Sequence, residues 1–303
     1  MSKFALKAFL LLAPVLLGWA VPGNSRAEAG PYFLMGDGTL TLQGQTIAFR
    51  KADGSYDQVG LKQINLIFKA DWARPEERMD LRFIEVLDYV QDQLRGGNYQ
   101  LKSGYRNPRL NQSLRKQGKL AAQSSMHIEA AAGDLILSGV NSQDVFNFVK
   151  GLDCCGIGFY HGRHFHLDTG PSRYWDETSS KTEDTTPQEN EKIVLQSERD
   201  RYQAGETMGL KFLRVTNYPI GVDPKLEIVE ADGDATGKSM SLENSVECRI
   251  LSERAQARTL SGTLPPGLKP GRYAFKVRFC NRYDYAKMPE SILSRPFEIK
   301  ERP

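Results

Sequence analysis

Histidine is scarce in this 303-residue chain: there are four, His127, His161, His164 and His166, and all fall inside one forty-residue window. Random scatter seldom crowds so rare a residue type, so a shared role in metal binding or catalysis is the first expectation. Cysteine is equally scarce, with four residues and no Cys-x-x-Cys spacing, which argues against a cysteine-based zinc site. No basic block interleaved with aromatics occurs and the formal charge is only +3, so nucleic-acid binding has no support. Long apolar runs are also missing. The stretch from Ala8 to Val21 is too short to span a membrane. Lys3 and Lys7 precede it and Ala27-Glu28-Ala29 offers a small-x-small cleavage site. Residues 1–29 therefore read as a secretory signal and the protein as periplasmic or secreted, with an uncleaved N-terminal anchor as the alternative. No cysteine lies near the signal's end, so a lipoprotein is not expected.

An exported chain permits disulfides. Adjacent Cys154 and Cys155 bond to one another only with strain, whereas Cys248 and Cys280 are spaced like partners from different strands. The second pair is the expected bridge, although spacing does not fix connectivity.

The remainder divides into two folded regions and a linker. Leu40, Leu42, Ile47 and Phe49 alternate around Gly44-Gln45, which predicts a β-hairpin. Leu81, Ile84, Leu87, Val90 and Leu94 recur at helical spacing before Gly96-Gly97. A short helix follows Pro108, carrying Leu110 and Leu114, and another begins near Ser142 and buries Val145 and Val149. Strands are expected over 134–137 and 164–168. The prediction for residues 30–175 is an α+β domain large enough for its own core. Residues 176–192 turn polar and acidic, the composition of a flexible linker. Beyond it, residues 193–303 hold short apolar stretches, Ile193 to Leu195, Met208 to Val215, Leu226 to Val229, Tyr273 to Phe279 and Phe297 to Ile299, separated by turns such as Pro265-Pro266-Gly267. This pattern predicts an all-β, immunoglobulin-like sandwich. No catalytic constellation and no internal repeat stand out there.

Within the histidine window, Asp134 follows His127 by seven positions, and His164-Phe165-His166 comes later. In a strand, His164 and His166 project on the same face and can share a site. Three N/O ligands with an open fourth position is the arrangement of catalytic zinc, because the open position admits water.

The run from Leu101 to Trp175 contains Ser103-Gly104-Tyr105-Arg106-Asn107-Pro108, then Asn111, Leu114-Arg115, Ser125-Met126-His127 and Asp134. It closes with Phe165-His166-Leu167-Asp168-Thr169-Gly170-Pro171 and Arg173-Tyr174-Trp175. In this order the run, and roughly Leu40 to Trp175 as a whole, resembles the murein endopeptidase K-like family of zinc peptidases. That family belongs with the lysostaphin, D-Ala-D-Ala and hedgehog-type metallopeptidases, which share a His/Asp/His zinc site on a small antiparallel sheet. The resemblance implies His127, Asp134 and His166 as ligands of Zn2+ and Arg106 as the group that meets a substrate carbonyl or carboxylate. It implies Ser125 beside the metal and His164 as the general base. Asp168 either shares the proton chemistry or orients a ligand imidazole, and Tyr160 is a substrate-side residue and the next candidate for the base.

Two departures from the family pattern stand out. Ala130 replaces a usual glycine three residues after the first histidine, where a methyl group strains a backbone of positive φ. Cys154-Cys155 replaces a usual Gly-Gly pair before Gly156-Ile157-Gly158-Phe159-Tyr160. The expectation is a metallopeptidase acting on peptidoglycan, of the D,D-endopeptidase or carboxypeptidase type. The C-terminal domain would dock on a wall or envelope protein partner. The rival is a non-catalytic wall-binding module that keeps its metal site as a remnant.

Overall fold

The computed structural model describes residues 30–118, 121–179, 186–244 and 247–301. The expected signal sequence, residues 1–29, lies outside them. Thr39–Leu42 (β1) turns through Gln43 and Gly44 into Gln45–Ala48 (β2). Both turn residues have positive φ, 51° and 77°, so the turn's twist matches that of the hairpin. Leu40, Leu42, Ile47 and Phe49 are buried, as their alternation predicts.

A helix outside the predicted set follows, Gln58–Ile67 (α1), capped by the Asp57 carboxylate, which accepts from the Val59 and Gly60 N–H groups. Leu61 and Ile64 face the core, but Val59 and Leu66 stay exposed, which blurs the apolar periodicity. The predicted long helix is Leu81–Gln93 (α2), with Asp80 as its cap. Phe83, Ile84, Leu87 and Val90 are fully buried, each contributing roughly 1.5–3 kcal/mol.

The chain then alternates strands and helices. Tyr99–Ser103 (β3) leads to Pro108–Lys116 (α3), capped by Asn107 with proline in its first turn. Ala132–Leu137 (β4), Ser142–Leu152 (α4), Gly156–Phe159 (β5), Phe165–Asp168 (β6) and Arg173–Asp176 (β7) complete it. These strands form one seven-stranded sheet in the order β2-β1-β3-β4-β6-β5-β7. Pairing is antiparallel except for β1 with β3 and β5 with β7. The α2 and α4 helices bury their predicted faces, whereas α3 leaves Leu110 exposed and buries only Asn111.

Among the described residues, the second half is built of strands with one short helix, Arg254–Arg258. A six-stranded sheet contains Ala235–Ser241, Lys225–Glu230, Gly271–Arg278, Phe297–Lys300 and Arg201–Gln203, with Ser291–Leu293 paired to its long central strand. A three-stranded sheet contains Leu260–Thr263, Thr207–Leu213 and Val194–Ser197. Together they enclose a core that includes Leu195, Phe212, Ile228, Phe275 and Phe297. The five apolar stretches named in the sequence fall largely on these strands, with Ile193, Val215 and Phe279 just beyond the strand ends. Cys248 bonds to Cys280, as expected, and Cys154 also bonds to its neighbour Cys155.

The halves interlock. Arg82 on α2 forms a buried ion pair with Asp200 at 2.7 Å, and Lys211 pairs with Asp80, the α2 cap, at 2.7 Å. Leu213 joins Met126, Ala131 and Ala132 in a small apolar cluster of its own. The expected linker is not loose at its C-terminal end. Asn190 is fully buried, and its carboxamide bonds the backbone of Thr216 and Asn217, because a short amide satisfies polar groups that composition alone cannot locate.

Candidate metal centre

His127 lies in a turn-rich loop that α3 leads into and β4 follows. Asp134 and His166 sit directly opposite each other on β4 and β6. A register shift in β3 between Leu101 and Ser103 precedes Gly104 and Arg106, re-aiming the chain toward the same point.

His127 Nδ1 donates to the Gly104 carbonyl at 2.7 Å. Because a carbonyl only accepts, the proton must be on Nδ1, and Nε2 is left with a bare lone pair. His166 Nε2 donates to Asp168 Oδ2 at 2.7 Å, which turns Nδ1 inward. The result brings His127 Nε2, His166 Nδ1 and Asp134 Oδ1 within 3.0–3.3 Å of one another. Ligand atoms of a tetrahedral ion with bonds of about 2.0–2.1 Å lie roughly 3.3–3.4 Å apart, so the set fits a zinc-sized cation. All three residues are buried.

The surroundings hold these donors in place. Asp168 is fully buried and is gripped by both Arg173 Nη atoms at 2.6 and 3.0 Å and by the Gly170 N–H. Burial alone would raise its carboxyl, but Arg173 and His166 outweigh burial and hold it well below the usual range. An ionised Asp168 behind a ligand imidazole is the arrangement that fixes tautomer and ring orientation. Of the two roles expected for Asp168, the geometry supports orientation. Asp134 behaves similarly: burial opposes its charge, and His127 and His166 nevertheless keep it ionised. Burial also lowers the pKa of His127, favouring the neutral, ligating form.

Arg106 Nη2 donates to the second oxygen of Asp134 at 2.8 Å, and its Nε donates to Ser103 Oγ. A cavity of about 250 Å3 opens beside the ligands, and Arg106, Ser125 and Tyr160 all line it. Trp175 closes one side, with its ring 5.0 Å from His166. It packs against Gly158, where a β-carbon would come within 2.5 Å of the indole. His164 does not line this cavity. Its ring stacks on Tyr160 at 4.3 Å and borders a neighbouring recess with Ile136 and Ser142. His161 is exposed and pairs with Asp176 at 2.9 Å, away from the ligands. A larger cavity of about 500 Å3 lies between the halves near Trp72, Arg78 and Lys211, and none of the three converging ligands borders it.

Residues 40–175 match the family model described as Peptidoglycan L,D-endopeptidase MepK. The Peptidoglycan L,D-endopeptidase MepK of Escherichia coli (strain K12) is 30% identical over 135 residues, covering 44% of this chain and 74% of that protein. The protein of the same name from Shigella flexneri matches to the same extent. The chain belongs to this family. The match ends at Trp175, so the second half lies wholly outside it. Against the family pattern, Ala130 adopts φ 53°, the left-handed conformation that glycine tolerates best.

Sequence reasoning did not single out the roles of Gly104, Arg173 and Trp175, nor the approach of Lys192 and Arg214 to the cavity from the second half. For the first three the only signal was membership of the matched motifs. For Lys192 and Arg214 there was none.

Proposed function

We propose that the chain is an exported, zinc-dependent peptidase that hydrolyses amide bonds in peptidoglycan stem peptides or cross-links. The observation that carries this reading is the convergence of His127 Nε2, Asp134 Oδ1 and His166 Nδ1, with both outer imidazole nitrogens already engaged, in a chain of the MepK family. In place of the D,D bond or terminal trimming expected from sequence, we favour an L,D bond, because the relatives carry the L,D name; diaminopimelate as the flanking residue is what the family resemblance implies.

In this reading His127, Asp134 and His166 hold Zn2+. The chemistry available once zinc is bound is Lewis acidity toward the scissile carbonyl and acidification of water to near pH 7. The chain's own residues do the rest. Arg106 stabilises negative charge developing on the carbonyl oxygen. His164, immediately ahead of β6 and outside the lining of the cavity, would accept the proton through an intervening water. Tyr160, stacked on His164, and Ser125 offer hydroxyls to the substrate backbone. We further take residues 30–175 and 193–303 as two domains, the second an immunoglobulin-like sandwich that docks on a wall or envelope partner in the periplasm.

The rival is a wall-binding module with a remnant metal site, favoured by the strained Ala130 backbone. Incubation of the purified protein with sacculi, with and without chelator, separates the two: chelator-sensitive release of muropeptides supports the peptidase, and binding without cleavage supports the module. His164→Ala should keep its zinc and lose about 10²- to 10⁴-fold in rate. Asp168→Asn should weaken zinc affinity by roughly ten- to a hundredfold. Near-normal turnover in His164→Ala would remove it as the base and leave Tyr160.

A further inference from the structure

Among the described residues, four cationic side chains line the cavity beside the candidate ligands, Arg106, Arg173, Lys192 and Arg214, against one acidic side chain, Asp134. Two of the four are already compensated, Arg106 by Asp134 and Arg173 by Asp168. The other two come from beyond the family match and have no ion pair among the described residues. Arg214 directly follows the strand Thr207–Leu213 and adopts φ 61°. Its backbone N–H donates to Glu129 Oε1 at 2.7 Å, so the loop that carries His127 holds it in place. Its guanidinium reaches Ser124 Oγ at 3.2 Å, and its Nε is buried with no hydrogen-bond partner among the described residues. Glu129, the nearest acid to it along this loop, is claimed by Arg258 at 2.5 Å. Burial, followed by the neighbouring Arg173, lowers the Arg214 guanidinium to about 10, and the charges of Asp168 and Glu129 only partly offset this. Lys192 is exposed at the rim of the same cavity.

We propose that Arg214 and Lys192 form a carboxylate-binding wall of the active site, supplied by the second half, that selects peptide substrates with a free carboxylate beside the scissile amide. This rests on the peptidase reading and deepens it. A planar guanidinium with unused donors suits a carboxylate, and the flexible Lys192 adds a point charge at the entrance. A neutral or amidated substrate would leave both cations without a counter-charge in a confined site, which is how such a wall discriminates. The second half is then part of the specificity apparatus as well as a docking module.

The test uses the full zinc-loaded protein and two cross-linked peptide dimers that differ only at the diaminopimelate carboxyl beside the scissile bond, free in one and amidated in the other. The wild type should favour the free acid in kcat/KM by about 10- to 100-fold, the range of one lost hydrogen bond to a charged group. Arg214→Gln should bring that ratio close to one, mainly through KM, and Arg214→Lys should restore part of it. Lys192→Gln, at an exposed position, should lower the ratio without altering the melting temperature or zinc content. A folded, zinc-loaded Arg214→Gln that keeps the wild-type ratio overturns the proposal, as does a wild type with no preference. If the wild type cleaves neither dimer, the peptidase reading fails. Calorimetric binding of the free and amidated stem tetrapeptides to wild type and Arg214→Gln then decides the wall on its own: a preference for the acid lost in the variant upholds it, and equal binding rejects it.

Discussion

The two halves differ in how they take part in the candidate metal centre. The first half carries every histidine of the chain, and its candidate ligands come from adjacent strands and one loop. The second half has none, yet its arginines grip the backbone around those ligands. Arg258 pairs with Glu129 and bonds its carbonyl, Arg254 bonds the Ile128 carbonyl, and Arg295 reaches the carbonyls of Thr169, Gly170 and Cys154. One half thus supplies the donor atoms, while the other braces the loop after His127 and the turn after Asp168. The lesson is that a ligand set can be local and its rigidity remote, since an arginine's fork spans two backbone segments that share no strand.

The comparison is broken most completely at the ligands. His166→Ala or Asp134→Ala should strip the metal and abolish hydrolysis, read by metal analysis and turnover on muropeptide dimers. Full zinc content in His166→Ala would sink the ligand assignment. Next comes the brace. Arg258→Ala leaves the buried Glu129 without its closest partner and should cost about 3–5 kcal/mol, read as a lower melting temperature together with weaker zinc retention. Loss of stability with unchanged zinc affinity would mean that the second half does not brace the site.

A pH measurement sharpens the same contrast. Burial opposes the charge on Asp80, but Lys211 and Arg82 outweigh it and hold the carboxyl at about 2. Because the folded value is depressed, this contribution to stability is complete above the ordinary carboxylate range and is lost as pH falls from about 4 through 2. Hydrogen exchange across residues 194–213 should accelerate in that window, and Asp80→Asn should remove the acid sensitivity. An identical acid profile in the variant would place the titrating group elsewhere. The smallest effect is local to the first half. Ala130→Gly relieves a left-handed backbone and should raise stability by about 1 kcal/mol, measured by denaturant midpoint. A lower midpoint would show that the buried methyl packs more favourably than the strain costs.

Much of the first half was legible before any fold. Alternation around Gly44 gave the hairpin, and three- and four-residue spacing gave α2 and α4, because each pattern reports a face that must be buried. Helix α1 was not legible, since Val59 and Leu66 spoil its stripe. The vicinal Cys154–Cys155 bridge and the buried Asn190 also ran against local expectation. At the site, the types and spacing of His127, Asp134 and His166 pointed to a metal because few residue types offer lone pairs to one.

The sequence by itself determined the candidate ligands, the main helices and the strand-rich second half, all properties written in short-range pattern and composition. Only the tertiary structure decided which histidine turns inward, which groups Asp168 contacts and which cations face the cavity. The spacing of His164 and His166 suggested a shared strand face, but the strand begins at Phe165, His164 stacks on Tyr160, and only His166 has an ionised Asp168 behind it and Asp134 before it. Arg214 comes to the cavity from 48 residues beyond His166 in the chain, held by Glu129. Such placements depend on contacts between distant segments, whose partners no local pattern encodes.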